Sequence, residues 1–131
     1  MSYQEIEELV GRTLVAATGK KGDEEMLLTD KDGRWVRLYH EQDCCENVAI
    51  EDVAGDLADL LGAPLLRAEV VSSDGAPEPE AGVHGYDADA HSYTWTFYKL
   101  ETIKGSVTVR WLGTSNGHYS EKVSIVTSES P

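Results

Sequence analysis

The sequence predicts a single α+β domain over residues 1–131: a mainly antiparallel, twisted sheet of about five to seven strands, with a short N-terminal helix and one amphipathic helix, about residues 51–61, packed on it. Short β-branched and aromatic segments alternate with turn signals along most of the chain, which is typical of antiparallel strands. One segment instead places apolar residues at helical spacing. A chain of 131 residues can bury a core without disulfides or a structural metal.

The first forty residues predict a helix, a strand and a hairpin. Ser2 and Glu5 form a capping-box pattern, so a short helix is expected over residues 3–10. A largely buried strand over 12–18 and a hairpin with arms 25–29 and 34–40 follow. In the second arm alternate residues share a face, and the pattern alone leaves open which face is buried.

The amphipathic helix is expected from about Glu51 to Leu61. Its apolar stripe consists of Val53, Leu57, Leu60 and Leu61. Glu51 and Asp52 would occupy the first turn, where the helix dipole favours carboxylates, and Gly62 would end the helix. Gly55 inside a helix costs about 1 kcal/mol relative to alanine, which indicates that another backbone packs closely there.

The second half of the chain predicts a strand, a loop and a meander. A strand over 65–72 leads into 73–91, an acidic segment with proline and glycine that we interpret as a loop. The expected meander consists of strands 92–101, 106–113 and 119–127, with a hairpin signal at Asn116-Gly117.

The net charge of −13 is concentrated in the middle of the chain, because residues 38–98 contain thirteen acidic residues and one basic residue, Arg67. This favours a solvated surface and disfavours direct nucleic-acid binding, since phosphate contacts need a basic face. A basic protein partner and an oligomer are both compatible with it. No apolar run is long enough to span a membrane, and the acidic N-terminus does not resemble a signal peptide. We therefore expect an intracellular protein with Cys44 and Cys45 as free thiols.

Several motifs resemble those of a known family. The runs His40-Glu-Gln-Asp-Cys-Cys-Glu, Trp95-Thr-Phe-Tyr-Lys-Leu and Arg110-Trp-Leu-Gly-Thr-Ser-Asn-Gly occur in this order. They resemble small bacteriophage and prophage proteins that share a domain of unknown function, over about residues 9–126. The resemblance implies a phage-encoded accessory protein that acts in the cytoplasm of the infected host. It supplies no activity, cofactor or catalytic residue.

Two groups of residues give three possible sites of metal binding or catalysis. His40, Cys44 and Cys45 include zinc-type ligands, but adjacent cysteines lack the usual paired spacing, which favours small buried thiols and a strand-end histidine. The same cysteines lie between carboxylates, which oppose a thiolate nucleophile. The second group consists of carboxylates that we interpret as a solvated rim: Glu46, Glu51 and Asp52. No cofactor is expected.

An aromatic and cationic set is the candidate binding site: Trp95, Tyr98, Lys99, Arg110, Trp111 and Tyr119, with Asp56 and Asp59 on the acidic side. Such residues are enriched at interface hot spots, although core packing accounts for part of the set. We therefore predict a non-enzymatic protein that binds a host or phage protein, for host takeover or against host defence. The alternatives are a small-ligand or nucleotide sponge at an oligomer interface, a metal-dependent hydrolase and a virion-associated structural protein.

Overall fold

The computed structural model describes residues 4–42, 45–74, 92–115 and 120–128. These residues form two antiparallel sheets of four strands, with one short α-helix and one turn of 3-10 helix, Leu57–Leu60. The elements are α1 (Gln4–Glu7), β1 (Leu14–Thr18), β2 (Glu25–Asp30), β3 (Trp35–Tyr39), β4 (Asn47–Ala54), β5 (Arg67–Asp74), β6 (Ser92–Thr102), β7 (Gly105–Ser115) and β8 (Ser124–Thr127). The predicted α+β class is therefore wrong, and the fold is mainly β.

The first sheet has the order β1-β2-β3-β8, and the predicted hairpin forms its centre. Val36 and Leu38 of β3 point into the core, while Trp35, Arg37 and Tyr39 lie on the other face and are half-buried. The structure thus identifies the buried face of β3. β1 is not the largely buried strand that was expected, since most of its residues are exposed or half-buried.

The second sheet has the order β4-β7-β6-β5, and its two central strands are eleven residues long. Alternate residues of these strands enter the core. They are Val107, Val109 and Trp111 of β7, which lie opposite Leu100, Tyr98 and Thr96 of β6. The predicted hairpin between these strands, with its turn at residues 102–105, is confirmed.

One core joins the two sheets. Among the described residues, the buried apolar side chains of both sheets form one cluster with Ile6 of α1 and Leu9 just after it. Side chains on the inner faces of two packed sheets fill such a core and leave the outer faces to solvent or partners. Binding surfaces are therefore expected on the outer faces.

The predicted helix over 51–61 is absent. Residues up to Ala54 continue β4, which pairs with β7 along its length, with an irregularity between Ile50 and Asp52. The strand ends at Gly55, which adopts a φ of +110°. The leucines that follow do pack on the core. However, Leu57 and Leu60 belong to a single 3-10 turn, and Leu61 directly follows it.

Gly55 confirms one expectation for this segment. A Cβ built on Gly55 would lie 2.5 Å from the carbonyl oxygen of Ser106, so another backbone does pack closely there. The 3-10 turn is also fixed to the second sheet by the Thr102 hydroxyl, which donates a hydrogen bond to the carbonyl of Asp59. Both contacts hold the turn against the end of the β6–β7 hairpin.

The two ends of the chain differ from the prediction in other ways. The N-terminal helix is shorter than the expected residues 3–10. The last strand, expected to extend a meander beside β7, pairs with β3 in the first sheet instead. The Asn116-Gly117 signal and residues 75–91 of the predicted loop lie outside the described residues, and residues 73–74 belong to β5. None of the described helices is long and apolar enough to cross a membrane.

Candidate binding surface

The outer face of the second sheet contains the aromatic and cationic residues that alternate with the core residues. We call this face the second-sheet surface. Its larger side chains are Asp52 of β4, Arg67, Glu69 and Val71 of β5, Tyr93, Trp95, Phe97, Lys99 and Glu101 of β6, and Arg110 and Leu112 of β7. Because successive side chains of a strand point to opposite faces, the pattern that buries Tyr98 and Trp111 places these residues on the other side.

Arg110 lies at the centre of this surface. Its guanidinium lies 5.2 Å from the ring centroid of Trp95, and Trp95 stacks on Phe97 with ring centroids 6.3 Å apart. On the neighbouring strand, Asp52 accepts two hydrogen bonds from Arg110, of which the Nε bond measures 2.8 Å. The arginine is therefore held between an aromatic ring and a carboxylate, while 40% of its side chain stays exposed.

The pairing of Arg110 with Asp52 shifts the pKa of both groups. The hydrogen bond from Arg110 lowers the pKa of Asp52 in spite of partial burial, which alone would raise it. The same bond raises the pKa of Arg110. Both groups thus stay charged through the neutral range, and the charge-assisted pair fixes the direction of the guanidinium.

The charges of the second-sheet surface balance. Its basic residues are Arg67, Lys99 and Arg110, and its acidic residues are Asp52, Glu69 and Glu101, so these six side chains sum to zero. The Arg67 guanidinium donates to both carboxylate oxygens of Glu69, at 2.7 and 3.0 Å. This hydrogen bonding lowers the pKa of Glu69, and the charge of Lys99 acts in the same direction. A chain of net charge −13 therefore presents a neutral mosaic on this face.

The structure divides the predicted binding set between two faces. Trp95, Lys99 and Arg110 lie on the second-sheet surface, whereas Tyr98 and Trp111 face the core. Tyr119 lies outside the described residues. Trp95 is itself only 4% exposed, so a base could stack on it only after displacing what covers it. The accessible part of the surface consists of Arg110, Phe97 and Val71 with the charged residues around them.

Several acidic residues that were predicted to lie on the surface instead make contacts within the fold. Glu46 and Glu51, interpreted as a solvated rim, are buried, with 9% and 5% of their surface exposed. Asp56 caps the 3-10 turn by accepting a hydrogen bond from the amide of Ala58, and Asp59 lies against Gly105. Part of the central charge therefore has structural roles that the sequence pattern does not reveal.

A buried polar cluster lies where strands of the two sheets end. His40, just after β3, contacts the Lys122 carbonyl through Nδ1 at 2.7 Å and the Glu46 carboxylate through Nε2 at 2.9 Å. The neighbouring carboxylate of Glu121 accepts hydrogen bonds from the hydroxyls of Thr94, at 2.6 Å, and Ser115, at 2.5 Å. Residues 121–122 thus connect the two sheets through hydrogen bonds, which is a structural role.

The metal hypothesis concerns the same region. Within the described part of the chain, no group of three or more histidine, cysteine or acidic side chains is arranged to hold a metal ion. Cys44 lies outside that part, and Cys45 is disulfide-bonded and so cannot act as a thiolate ligand, which contradicts the predicted set of His40, Cys44 and Cys45. The expectation of a free, buried thiol is wrong for Cys45, which is exposed and disulfide-bonded.

The outer face of the first sheet is a surface that the sequence analysis did not predict. We call it the first-sheet surface, and it consists of Ala16, Thr18, Glu25, Leu27, Thr29, Trp35, Arg37, Tyr39, Ser124 and Val126. Arg37 stacks over Tyr39 at 4.1 Å and pairs with Glu25. The signal was present in the alternation of β3, where two aromatics and an arginine face away from two aliphatic residues.

Comparison with known proteins assigns the chain to a family. The model of the family described as "Domain of unknown function (DUF7448)" matches residues 7–125. The match covers most of the 131 residues, so the chain belongs to this family. No curated protein and no solved structure matches the chain.

Proposed function

We propose that this member of the DUF7448 family is a phage-encoded accessory protein that binds a host or phage protein in the cytoplasm of the infected cell. The phage origin rests on the resemblance of the motifs that begin at His40, Trp95 and Arg110. The observation that supports binding is the pair of accessible residues Arg110 and Phe97 on the neutral second-sheet surface, both of which contact the nearly buried ring of Trp95. The partner binds there, and the surrounding charged residues form the rim of the contact.

The composition of this surface supports the proposal. Interface centres are enriched in aromatic residues and arginine, and a few such residues supply most of the binding energy. Arg110 is already oriented by Asp52 and Trp95, so it loses little side-chain entropy when a partner contacts it. Val71, which is 47% exposed, adds apolar area beside Phe97, its register partner on β6.

The extent of the surface also suits a protein partner. Four strands spaced about 4.8 Å apart and about eight residues long give a flat area of roughly 500 Å² before side chains are counted. A standard interface buries about 800 Å² of accessible surface on each partner. The relief of the side chains adds to this area, while Trp95 and Leu112, which are 4% and 2% exposed, contribute little to it.

The test compares two arginines in matched settings. Arg110 and Arg37 each stack on an aromatic ring and pair with a carboxylate, but they lie on different sheets. A tagged protein is purified from infected cells, and each co-purifying protein is then tested for direct binding in purified form by calorimetry. We expect Arg110→Ala to weaken binding about 30-fold or more, as for a hot spot. Arg37→Ala should change the affinity by less than about threefold.

Two results would contradict the proposal. One is that no co-purifying protein binds directly. The other is that Arg110→Ala and Arg37→Ala weaken binding equally, which would place the contact elsewhere. Circular dichroism of both variants shows whether each is folded, so that unfolding is not mistaken for a loss of binding.

A further inference from the structure

The first-sheet surface combines half-buried apolar residues with one ion pair. Its larger apolar residues are Leu27, Trp35, Tyr39 and Val126, all of intermediate exposure. Arg37 Nε lies 3.2 Å from Glu25 Oε1, and the two side chains are 40% and 50% exposed. Aromatic and aliphatic residues around an accessible arginine are the composition of an interface centre.

Charge restricts what can approach this surface. The net charge of −13 opposes the association of two copies wherever their acidic parts meet. The first sheet, however, is built from residues 14–39 and 124–127, almost entirely outside the acidic segment 38–98. The strand residues of its outer face include one acid, Glu25, and one base, Arg37. Two copies therefore meet there without net charge.

The ion pair is also self-complementary. A two-fold axis that lies in the interface and passes between Glu25 and Arg37 places the carboxylate of each copy opposite the guanidinium of the other. Such an isologous contact uses the same patch twice and closes after two subunits. An unrelated partner would have to supply both charges and a matching apolar surface, whereas a second copy supplies them by symmetry.

We propose that the first-sheet surface binds a second copy of the chain and forms a two-fold symmetric dimer. Trp35, Tyr39 and Leu27 pack at its centre, and Glu25 of each copy pairs with Arg37 of the other. This contact leaves the second-sheet surface of both copies open to a partner. The inference does not rest on the proposed function, because it concerns the other sheet.

The area of the surface indicates how strong the dimer is. Four strands spaced about 4.8 Å apart and about five residues long give a flat area of roughly 300 Å². This is smaller than the flat area of the second-sheet surface, so the contact falls at the small end of specific interfaces. Because contacts below the standard size are typically weak and transient, we expect the dimer to dissociate on dilution.

The test is sedimentation velocity over concentrations from about 10 µM to several millimolar, with the chain mass of 14.3 kDa as the monomer reference. We expect a monomer–dimer equilibrium for the natural chain. Glu25→Arg and Arg37→Glu should each weaken the dimer about tenfold or more, because each brings like charges together at both contacts. Arg110→Glu on the second sheet is the control and should leave the equilibrium within about twofold.

Mixing the two variants distinguishes an ion pair that forms between two copies from one that forms only within each copy. A heterodimer of Glu25→Arg with Arg37→Glu places the two arginines of one chain opposite the two glutamates of the other. An equimolar mixture should therefore dimerise within about threefold of the natural affinity, although each variant alone is weakened. Circular dichroism verifies that both variants fold, which their exposed positions favour.

Four outcomes would overturn the proposal. The natural chain could stay monomeric at the highest concentration. The single variants could dimerise as well as the natural chain, or their mixture could stay monomeric, and either result would show that the pair does not cross an interface. A dimer that is weakened by Arg110→Glu would place the second copy on the second sheet instead.

Discussion

At Gly55 the backbone leaves no room for a side chain. Its φ is +110°, and an added Cβ would lie 2.5 Å from the Ser106 carbonyl oxygen. We expect Gly55→Ala to lower the free energy of unfolding by about 2–4 kcal/mol, because backbone strain and a clash with backbone add. The control is Gly33→Ala, at a φ of +84° with nothing within 4 Å of the added Cβ, which should cost about 1–2 kcal/mol. Equal losses in urea unfolding would show that the Ser106 approach is unimportant.

Asp30 is a buried carboxylate whose contacts favour its charged form. It is 3% exposed, and its Oδ1 accepts hydrogen bonds from the amides of Asp32, at 2.9 Å, and Arg34, at 3.0 Å. Burial acts to raise the pKa of Asp30, but these hydrogen bonds and the charges of Arg34 and Arg12 outweigh it and lower the pKa. Asp30 therefore stabilises the fold above its ordinary pKa, and this contribution disappears as the pH falls through the lowered pKa.

The corresponding prediction concerns stability as a function of pH. Asp30→Asn should lower the free energy of unfolding at neutral pH by about 1.5–3 kcal/mol, since buried donors lose a charged acceptor. The loss should shrink as the solution is acidified below the ordinary pKa of 3.8. Asp32→Asn is the control, because that side chain is 62% exposed. A loss for Asp30→Asn that is independent of pH in urea unfolding would contradict the electrostatic account.

At the scale of elements, the segment at residues 51–61 shows why periodicity was insufficient. The positions of Val53, Leu57 and Leu60 fit a helical stripe, and all three do contact the core. A strand followed by a short turn can bury the same residues, provided that a neighbouring strand pairs with it. That partner, β7, is distant in sequence, so no local pattern could reveal it. Gly55 was correctly interpreted as a site of close backbone approach, but it was assigned to the wrong element.

The contact between the 3-10 turn and the β6–β7 hairpin depends on Thr102. Its hydroxyl donates to the Asp59 carbonyl and accepts a hydrogen bond from the Lys104 amide at 3.1 Å. We expect Thr102→Val to lower the free energy of unfolding by about 1–3 kcal/mol, because both backbone groups lose a partner. The control is Thr108→Val on the outer face of β7, which should cost less than about 0.5 kcal/mol. Equal values in urea unfolding would mean that Thr102 does not fix the turn.

At the scale of the whole molecule, Glu121 holds the two sheets together at one end. Its carboxylate bonds Thr94 of β6 and Ser115 of β7, and the next residue bonds His40 of the first sheet through its carbonyl. We expect Glu121→Ala to lower the free energy of unfolding by about 2–4 kcal/mol, because the buried hydroxyl of Ser115 and the half-buried hydroxyl of Thr94 lose a charged acceptor. Glu121→Gln, which keeps one acceptor oxygen, should lose less.

Hydrogen exchange tests where this effect appears. The amides of β8 should exchange faster in Glu121→Ala than in the natural chain, since β8 follows closely after residue 121. A uniform increase over both sheets would instead indicate a loss of global stability only. Unchanged exchange in β8 would contradict the role of Glu121 as a connection between sheets.

The topology was harder to predict from sequence than the strands. The β2–β3 and β6–β7 hairpins were predicted because their turns and alternation are local. The pairing of β8 with β3 was missed, because it joins residues far apart in sequence and a hairpin signal at residues 116–117 favoured β7. For the candidate site, the sequence analysis put Trp95, Lys99 and Arg110 in one set with Tyr98 and Trp111, whereas the structure places only the first three on the outer face. Strand alternation could not place Tyr98 in the core, since both faces of β6 contain aromatic residues.

Because β8 pairs with β3, the first sheet is completed only when the last strand has been synthesised. While the ribosome is still translating the second sheet, the β2–β3 hairpin has already emerged, and the unpaired edge of β3 stays open until residue 127 has been made. An open edge of this kind can template pairing with another nascent chain. We therefore expect chaperone binding to the early hairpin, or rapid synthesis of the last strands, to affect the yield of folded protein. The effect should be larger than for a protein in which adjacent strands are consecutive in sequence.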